Sequence, residues 1–551
     1  MDPLIQRFSG GMNLFGEDIF LDETEYGTAF NIRIRSGAPT PTHNKILDAA
    51  APSGKKQGLL GFDQYLVLFV AGKAYYRRHS DIVWTQVSGG FQLDASVERI
   101  YTQAIPASTF NFTRKLNNAD EDFFGSPVDT KILPSLTTNS GSPAGLLCQD
   151  GINQAWIIFP DGTSRVTKTY AQWTTTDREY VPIGKQMTIL HGKLFVANGR
   201  EIYHSVSGRY LDFVVNVDEN ADKGGDATTV AHSVSYNLIS ALIATRLGNI
   251  VVGTTKESHI VELDYDNLMF NEPRFRNVKA FAANIVGQTA FVEALDDYVF
   301  IDNNGLRSFE AIKALGSEGE NAIFSLKVSK LFSEGIRQID DKATAEAFDN
   351  YVLFAVNTIY GYQILVYDVI SEIWVCLDTI DLPVKQFAVV NQSDAKKLFC
   401  IASDSVYELY AESAPYNLAI VTSRGFSTNN PYFESKASTY NAVFFESDTD
   451  TEVSVTEYVD NQKGKKVTLP LQDTRGGISY PAEYPVMYDS SSRMSNLNFN
   501  FGGIASIGYK LNAVIRWDNG SKLISFMLNG DLQRKPTSDK QQGLSYSNLN
   551  N

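Results

Sequence analysis

The chain has 551 residues, 48 Lys+Arg against 63 Asp+Glu, a formal net charge of −15 and 43% hydrophobic residues. That length accommodates two or three domains with cores of their own, and that charge argues against a tight, sequence-independent grip on a polyanion, which needs clustered cations; it does not exclude a wall that DNA slides past. Residues 421–551 hold 13 Lys+Arg and 13 Asp+Glu, so the whole acidic excess falls on residues 1–420.

Residues 1–55 read as a lead-in. Phe8–Phe15 is a Gly-Gly turn between apolar flanks, and Ala29–Arg35 alternates apolar and polar residues as a half-buried strand does. With loosely anchored ends, such a strand is expected to suit exchange or docking between subunits. Residues 36–43 read as a loop. Met1–Met12 lacks the apolar stretch of a secretory signal and no apolar run is long enough to span a membrane, so the expectation is assembly in the cytoplasm without a membrane span.

From about residue 56 to 420, short apolar strand pairs recur, pinched by Gly or Asn/Asp turns. They are Leu59–His79 around Gly72, Ala155–Val166 around Pro160-Asp-Gly162, residues 188–206 around Asn198-Gly199, Asn249–Leu263 turning near Lys256, residues 295–309 around Asn303-Asn-Gly305, Tyr351–Val356 with Gln363–Asp368 and then Ile373–Cys376, and Leu398–Leu409. Gly72, Gly199 and Gly305 are the expected turn formers, because a two-residue hairpin needs positive φ. A hairpin that cannot bury its own apolar face stacks on copies of itself, which is the logic of a β-propeller. The spacing is irregular, so six or seven blades are expected. Insertions are expected near 116–145, a polar loop, and near 309–336, where Ile323, Leu326, Leu331 and Phe332 suggest a short amphipathic helix with Lys327 and Lys330 outside.

Composition shifts near residue 425. Asn441–Glu446, Thr451–Val459 and Lys466–Leu469 alternate as strands, and Ile507–Arg516 is expected to meet Lys522–Leu528 in a hairpin turned at Asn519-Gly520. Residues 421–551 therefore read as a C-terminal antiparallel β-domain with a polar tail from Asp531 that is free or docked on a neighbour.

The chain contains no Walker A loop, G-x-S-x-G, H-E-x-x-H or C-x-x-C. Cys148, Cys376 and Cys400 sit among apolar residues and are expected to be buried thiols. His191 and His204 flank one hairpin but read as ordinary strand histidines, and the other four histidines show no ligand spacing. Asp218–Asp222 with Asp226, Asp264-Tyr-Asp266 and Asp448-Thr-Asp450 are carboxylate groups that read as solvated turns; a Ca²⁺ site needs several oxygens converging on one point, and none of these fits an EF-hand loop. Arg77-Arg78-His79 and Lys463-Gly-Lys465-Lys466 are the compact basic groups. They read as solvated turns, with contact to DNA phosphate as the minor reading.

The residues quoted above carry a resemblance. Phe8-Ser-Gly-Gly-Met-Asn13 followed by Ala29–Gly37 resembles the opening of tail nozzle, hub or tail-stabilisation proteins of short-tailed bacteriophages. Gly192–Ser205, Ile250–Thr254, Phe300–Phe309 and Leu365–Trp374 are similar to that family's hairpin series, and Tyr509–Gly520 to its terminal β-domain. The resemblance covers nearly the whole chain through loose patterns; the irregular hairpin spacing and the two insertions depart from it. It implies a virion structural protein forming a closed ring, typically a hexamer, below the portal and adaptor proteins and beside tail fibres or spikes. The ring retains the genome and then conducts it out through the lumen without tight binding. It implies no catalytic residues, no cofactor and no metal. Two other classes stay open: a glycan-active enzyme on a propeller scaffold, whose paired carboxylates leave no local spacing, and a cellular propeller used as a protein-binding platform. Fold alone does not separate them.

Overall fold

The structure is a computed structural model that describes residues 4–534 apart from 16–19, 63–64, 79–80, 107–142, 175–177, 207–208, 215–236, 247, 256–257, 265–273, 282, 295–296, 303–304, 310–324, 333–342, 393–394, 428–432, 438–440, 448–450, 472–493, 500–506, 509 and 529. The fold is all-β. Between residues 56 and 409 the strands form seven consecutive antiparallel meanders whose first strands are Lys56–Phe62, Tyr101–Pro106, Met187–Leu190, Ile239–Ala244, Phe291–Ala294, Thr344–Phe348 and Val384–Gln392. Each of the seven hairpins read from the sequence lies in a different meander.

The turns show why glycine was a usable signal and where it misled. Val70 pairs with Lys73, and the intervening Ala71 and Gly72 have φ of +48° and +78°. Asn198 pairs with Glu201, so the next turn is Gly199-Arg200, with Gly199 at φ +64°; an L side chain there is strained although a Cβ would meet nothing within 4 Å. Gly305 is not at a turn tip. It pairs with Asp302 and opens a strand.

Apolar clusters link the meanders in order. Phe69 and Ala74 of the first pack with Leu146 and Ile158 of the second; Leu147 and Ile157 with Leu194 and Val196 of the third; Phe195 and Ile202 with Leu242 and Val252 of the fourth; Ala241 and Val251 with Tyr298 and Phe300 of the fifth. The fifth, sixth and seventh share the largest cluster. The circuit then returns: Leu59, Leu66 and Leu68 of the first meander pack against Ala388, Phe399 and Ile401 of the seventh.

The lead-in is not a separate unit, and its strands are used up within the chain. Its five strands are β1 (Leu4–Arg7), β2 (Ala29–Phe30), β3 (Ile32–Arg35), β4 (Ala38–Pro41) and β5 (Ile46–Leu47). β1 is an edge strand of a terminal-domain sheet, Leu4 opposite Leu528. β2 runs parallel to Ile373–Thr379 of the sixth meander and antiparallel to Ala419–Thr422. β5 completes the seventh meander beside Ser405–Leu409. The expected strand over 29–35 breaks at Asn31, whose φ is +57°, and β3 folds back on β4. Within the chain, β2 thus lies between two strands and β3 pairs with β4 in a two-stranded sheet.

Two further expectations are corrected. Lys510–Trp517 and Lys522–Leu528 are not a hairpin: the first pairs with Ala419–Thr422 and Thr451–Val459, the second with β1 and Asn441–Glu446, so residues 518–521 cross from one sheet to the other. The crossing is held from inside, where Trp517 Nε1 donates to the Ser521 carbonyl at 2.9 Å. Gly520 is there for close approach, since a Cβ would lie 2.8 Å from the Tyr416 hydroxyl. Near residue 326, the segment Leu326–Phe332 is 3₁₀, interrupted at Val328. Spacing by three puts Val328 and Leu331 on the buried side and leaves Leu326 48% exposed; Ile323 lies outside the described residues. Of the 116–145 insertion, only Pro143–Gly145 are described, and they open the strand Pro143–Gln149.

Candidate functional site: the joint and the first-strand ends of the sheet circuit

The joint is where the sixth meander, the lead-in and the terminal domain become one sheet. Two residues of β2 bridge strands that would otherwise be two unpaired edges. Beside it, Arg33 on β3 is 7% exposed and forms a forked pair with Asp378, Nη1–Oδ1 3.1 Å and Nη2–Oδ2 2.7 Å. Its guanidinium lies between the Tyr351 and Tyr410 rings, 5.1 and 4.6 Å from their centroids, and the Tyr410 hydroxyl donates to Asp378 Oδ2 at 2.5 Å. Burial alone would push the Arg33 guanidinium down; Asp378 and Tyr410 beside it more than reverse this and hold it above its ordinary range. Burial and the Asp378 charge push the Cys376 thiol well up, and burial raises Cys148 and Cys400 too. All three cysteines are buried and unpaired with one another, as expected. Tyr410 holds φ +56°, strained for a bulky residue. Charge, rings and hydroxyl are matched to one another, so the arrangement locks three segments together.

A second lock sits at the start of the lead-in. Glu25, 6% exposed, receives Lys327 Nζ at 2.9 Å, Asn13 Nδ2 at 2.9 Å and the Asp22 amide at 3.2 Å. Burial acts to raise the Glu25 carboxyl, and these donors together outweigh it, leaving its pKa below the ordinary 4.5. Its contribution to stability is therefore present above pH 4.5 and is lost as pH falls through the depressed value. Nearby, Gln6 Nε2 donates to the Glu25 carbonyl and Tyr26, fully buried, donates to the Val375 carbonyl at 2.8 Å.

The starts of the first strands are tied together by side chains that mimic a neighbouring strand. Gln288 accepts from the Leu242 amide at 2.8 Å and donates to its carbonyl at 3.0 Å, joining fifth and fourth meanders. Gln186 donates to the Ile239 and Ser240 carbonyls. Thr289 is bonded to the sixth through the Ala345 amide at 2.7 Å and the Ala343 carbonyl at 3.1 Å. Gln386 of the seventh accepts from Leu59 of the first at 3.2 Å. The ladders of the first, fourth and seventh meanders slip at the same place, between Lys56 and Gly58, Ile239 and Ala241, and Val384 and Gln386. Arg99, 7% exposed and just ahead of the second meander, bonds the Thr289 hydroxyl and, at 2.8 Å, the Lys385 carbonyl.

The basic residues named in the sequence fall apart into different settings. Arg77 does not reach solvent phosphate. It pairs with Asp48 at 3.0 Å, both side chains about nine-tenths buried, and lies over the Trp84 and Phe399 rings. Trp84 Nε1 also donates to Asp48, so Arg77 fastens the end of β5 to the first meander. Arg78 is exposed beside the Tyr65 ring; His79 lies outside the described residues. Lys463, Lys465 and Lys466 are exposed on Gln462–Leu471, which pairs with Thr451–Val459 and has no partner on its other side among the described residues. Lysine there discourages edge-to-edge pairing.

His204 is fully buried beside Phe195, while His191 bonds the Gly248 carbonyl at 3.0 Å. Asp218–Asp226, Asp266, Asp448 and Asp450, and the Asp264 side chain, lie outside the described residues. Among the described residues no cluster of three His, Cys, Asp or Glu is placed to hold a metal, and no helix is long and apolar enough to cross a membrane. The ties between first strands and the Arg33 cluster escape sequence reading. Single Gln, Thr and Arg residues that bridge sheets far apart in the chain leave no local pattern; a Gln at or just ahead of a first strand (186, 288, 386) is the one trace. Comparison of the chain with family models and with curated proteins finds no match.

Proposed function

We propose that the seven meanders form a seven-bladed β-propeller and that the chain is a virion structural protein, a subunit of a tail nozzle ring that retains and then conducts the genome of a short-tailed bacteriophage. The propeller reading is supported by the closed circuit of packing, first meander against seventh, with the N-terminal β5 supplying the seventh's outer strand. The observation that carries the nozzle reading is the joint. The circuit and the terminal domain share a single sheet, bridged by β2 and locked by Arg33, Asp378 and Tyr410. A part that holds pressurised DNA must pass load between its domains, and a continuous sheet with a buried ion pair does this where a flexible linker would not. The sequence resemblance supplies the family, the ring of about six copies in this reading, and the portal, adaptor and fibre partners. The acidic excess confined to residues 1–420 keeps that body from holding the passing duplex through counterion release. Imaging of particles with an antibody fragment to the terminal domain tests this: the expected result is a ring of identical copies around the tail axis. Labelling at one off-axis position, or none on the particle, overturns it.

A further inference from the structure

The bond partners of Arg99 are arranged in a way that neighbouring-sheet packing does not explain. Arg99 leads into the second meander, Thr289 into the fifth, and Lys385 lies at the slip in the seventh. In a circuit of seven sheets, the second and fifth are three sheets apart one way and four the other, so a side chain that touches both crosses the middle. It does so at the side where the first strands begin, because Ile100 bonds the Gln57 carbonyl and Thr289 bonds Ala343 and Ala345 there. The crossing is desolvated: Arg99 is 7% exposed. The planar fork suits the task, since Nη1 and Nη2 reach two acceptors on different sheets at once.

We infer that Arg99 closes the middle of the sheet circuit at this end, so that a threaded polymer passes along its outside, never through its middle. The same seal denies small ligands the axial funnel on this side. The seal rests on the propeller reading, and the inference about the polymer on the nozzle reading as well.

The experiment uses the full chain with Arg99→Cys and Thr289→Cys joined by a bismaleimide whose span matches an arginine side chain. The native Cys148, Cys376 and Cys400 are buried and stay unreactive in the folded chain. The expected result is an intramolecular cross-link in most molecules and none in either single variant; no cross-link in folded protein overturns the seal. If the double variant does not fold, Arg99→Lys keeps the charge and removes the fork, and hydrogen exchange at the Ala345 amide is read instead. Acceleration on the order of tenfold or more is expected, and an unchanged rate overturns the seal. Particles carrying the cross-linked chain then separate the two readings. Normal DNA ejection supports passage outside the circuit, and blocked ejection overturns it while leaving the nozzle reading standing. Absence of the chain from particles defeats the nozzle reading and leaves the seal decided by the cross-link.

Discussion

In the sheet circuit, a strand pairs with the strand before it and the strand after it: Leu66 meets Gly61 on one side and Arg77 on the other. In the terminal domain, Leu4 meets Leu528, and Val455 meets both Val467 and Ile515. Both regions are antiparallel with alternating apolar faces, yet one is assembled from neighbours and the other from chain ends. Short turns and hairpin chemistry therefore govern the circuit, while the terminal domain depends on docked segments and on the few buried polar contacts that fix where they dock. The joint belongs to the second kind, and the comparison breaks if its polar contacts prove dispensable.

The largest effect is expected at Asp378. Asp378→Ala leaves the Arg33 guanidinium buried between two tyrosines without its carboxylate, a change that typically costs about 3–5 kcal/mol. Urea unfolding should show that loss, and calorimetry should show the terminal domain melting before the circuit. Arg33→Met with Asp378→Leu should recover most of it; a single unaltered transition in Asp378→Ala would place the joint's strength elsewhere. Next comes the fastening of β5. Arg77→Ala strands Asp48 in its buried site and is expected to lower stability by about 2–4 kcal/mol, whereas Arg78→Ala should leave the melting temperature unchanged. Equal effects of the two would mean that Arg77 fastens nothing.

The smallest effect sharpens the circuit itself. Glu346, half-buried on the sixth first strand, has a carboxyl pushed up by burial from 4.5 to about 7, only partly offset by the Ala347 amide. Between those values the folded chain holds a proton that the unfolded chain releases. Stability therefore falls as pH rises from about 4.5 to 7 and stays lowered above. Glu346→Gln should match the parent near pH 4.5 and exceed it by about 1–2 kcal/mol at pH 8, allowing for partial exposure. Urea midpoints at the two pH values measure this, and a gain of equal size at both would show packing instead of proton linkage. Glu25 runs the other way, since its depressed carboxyl weakens the joint only in acid.

Legibility in the sequence follows the same division. The seven hairpins could be read because Ala71-Gly72 and Gly199 carry their own conformational requirement. The false hairpin at Asn519-Gly520 looked identical locally; what sends its flanking strands to different sheets is pairing with β1 and with Ala419–Thr422, far away in the chain. Arg77 read as a basic cluster because its partner Asp48 is not adjacent in sequence. Arg33, Asp378 and Tyr410 could not be connected at all, for the same reason.

The position of β1 has a consequence for how the molecule is made. Leu4 is synthesised long before its partner Leu528. At roughly 5–20 residues per second, the gap is on the order of half a minute to nearly two minutes. Throughout that time β1 has no strand to meet, while β2 and β5 wait only for Ile373–Thr379, Ala419–Thr422 and Ser405–Leu409. The nascent chain thus carries an unpaired β1 while the meanders behind it are already able to fold, and neighbouring ribosomes on the same message bring identical unpaired strands into reach. Slowing synthesis should favour cross-pairing between chains over completion within one.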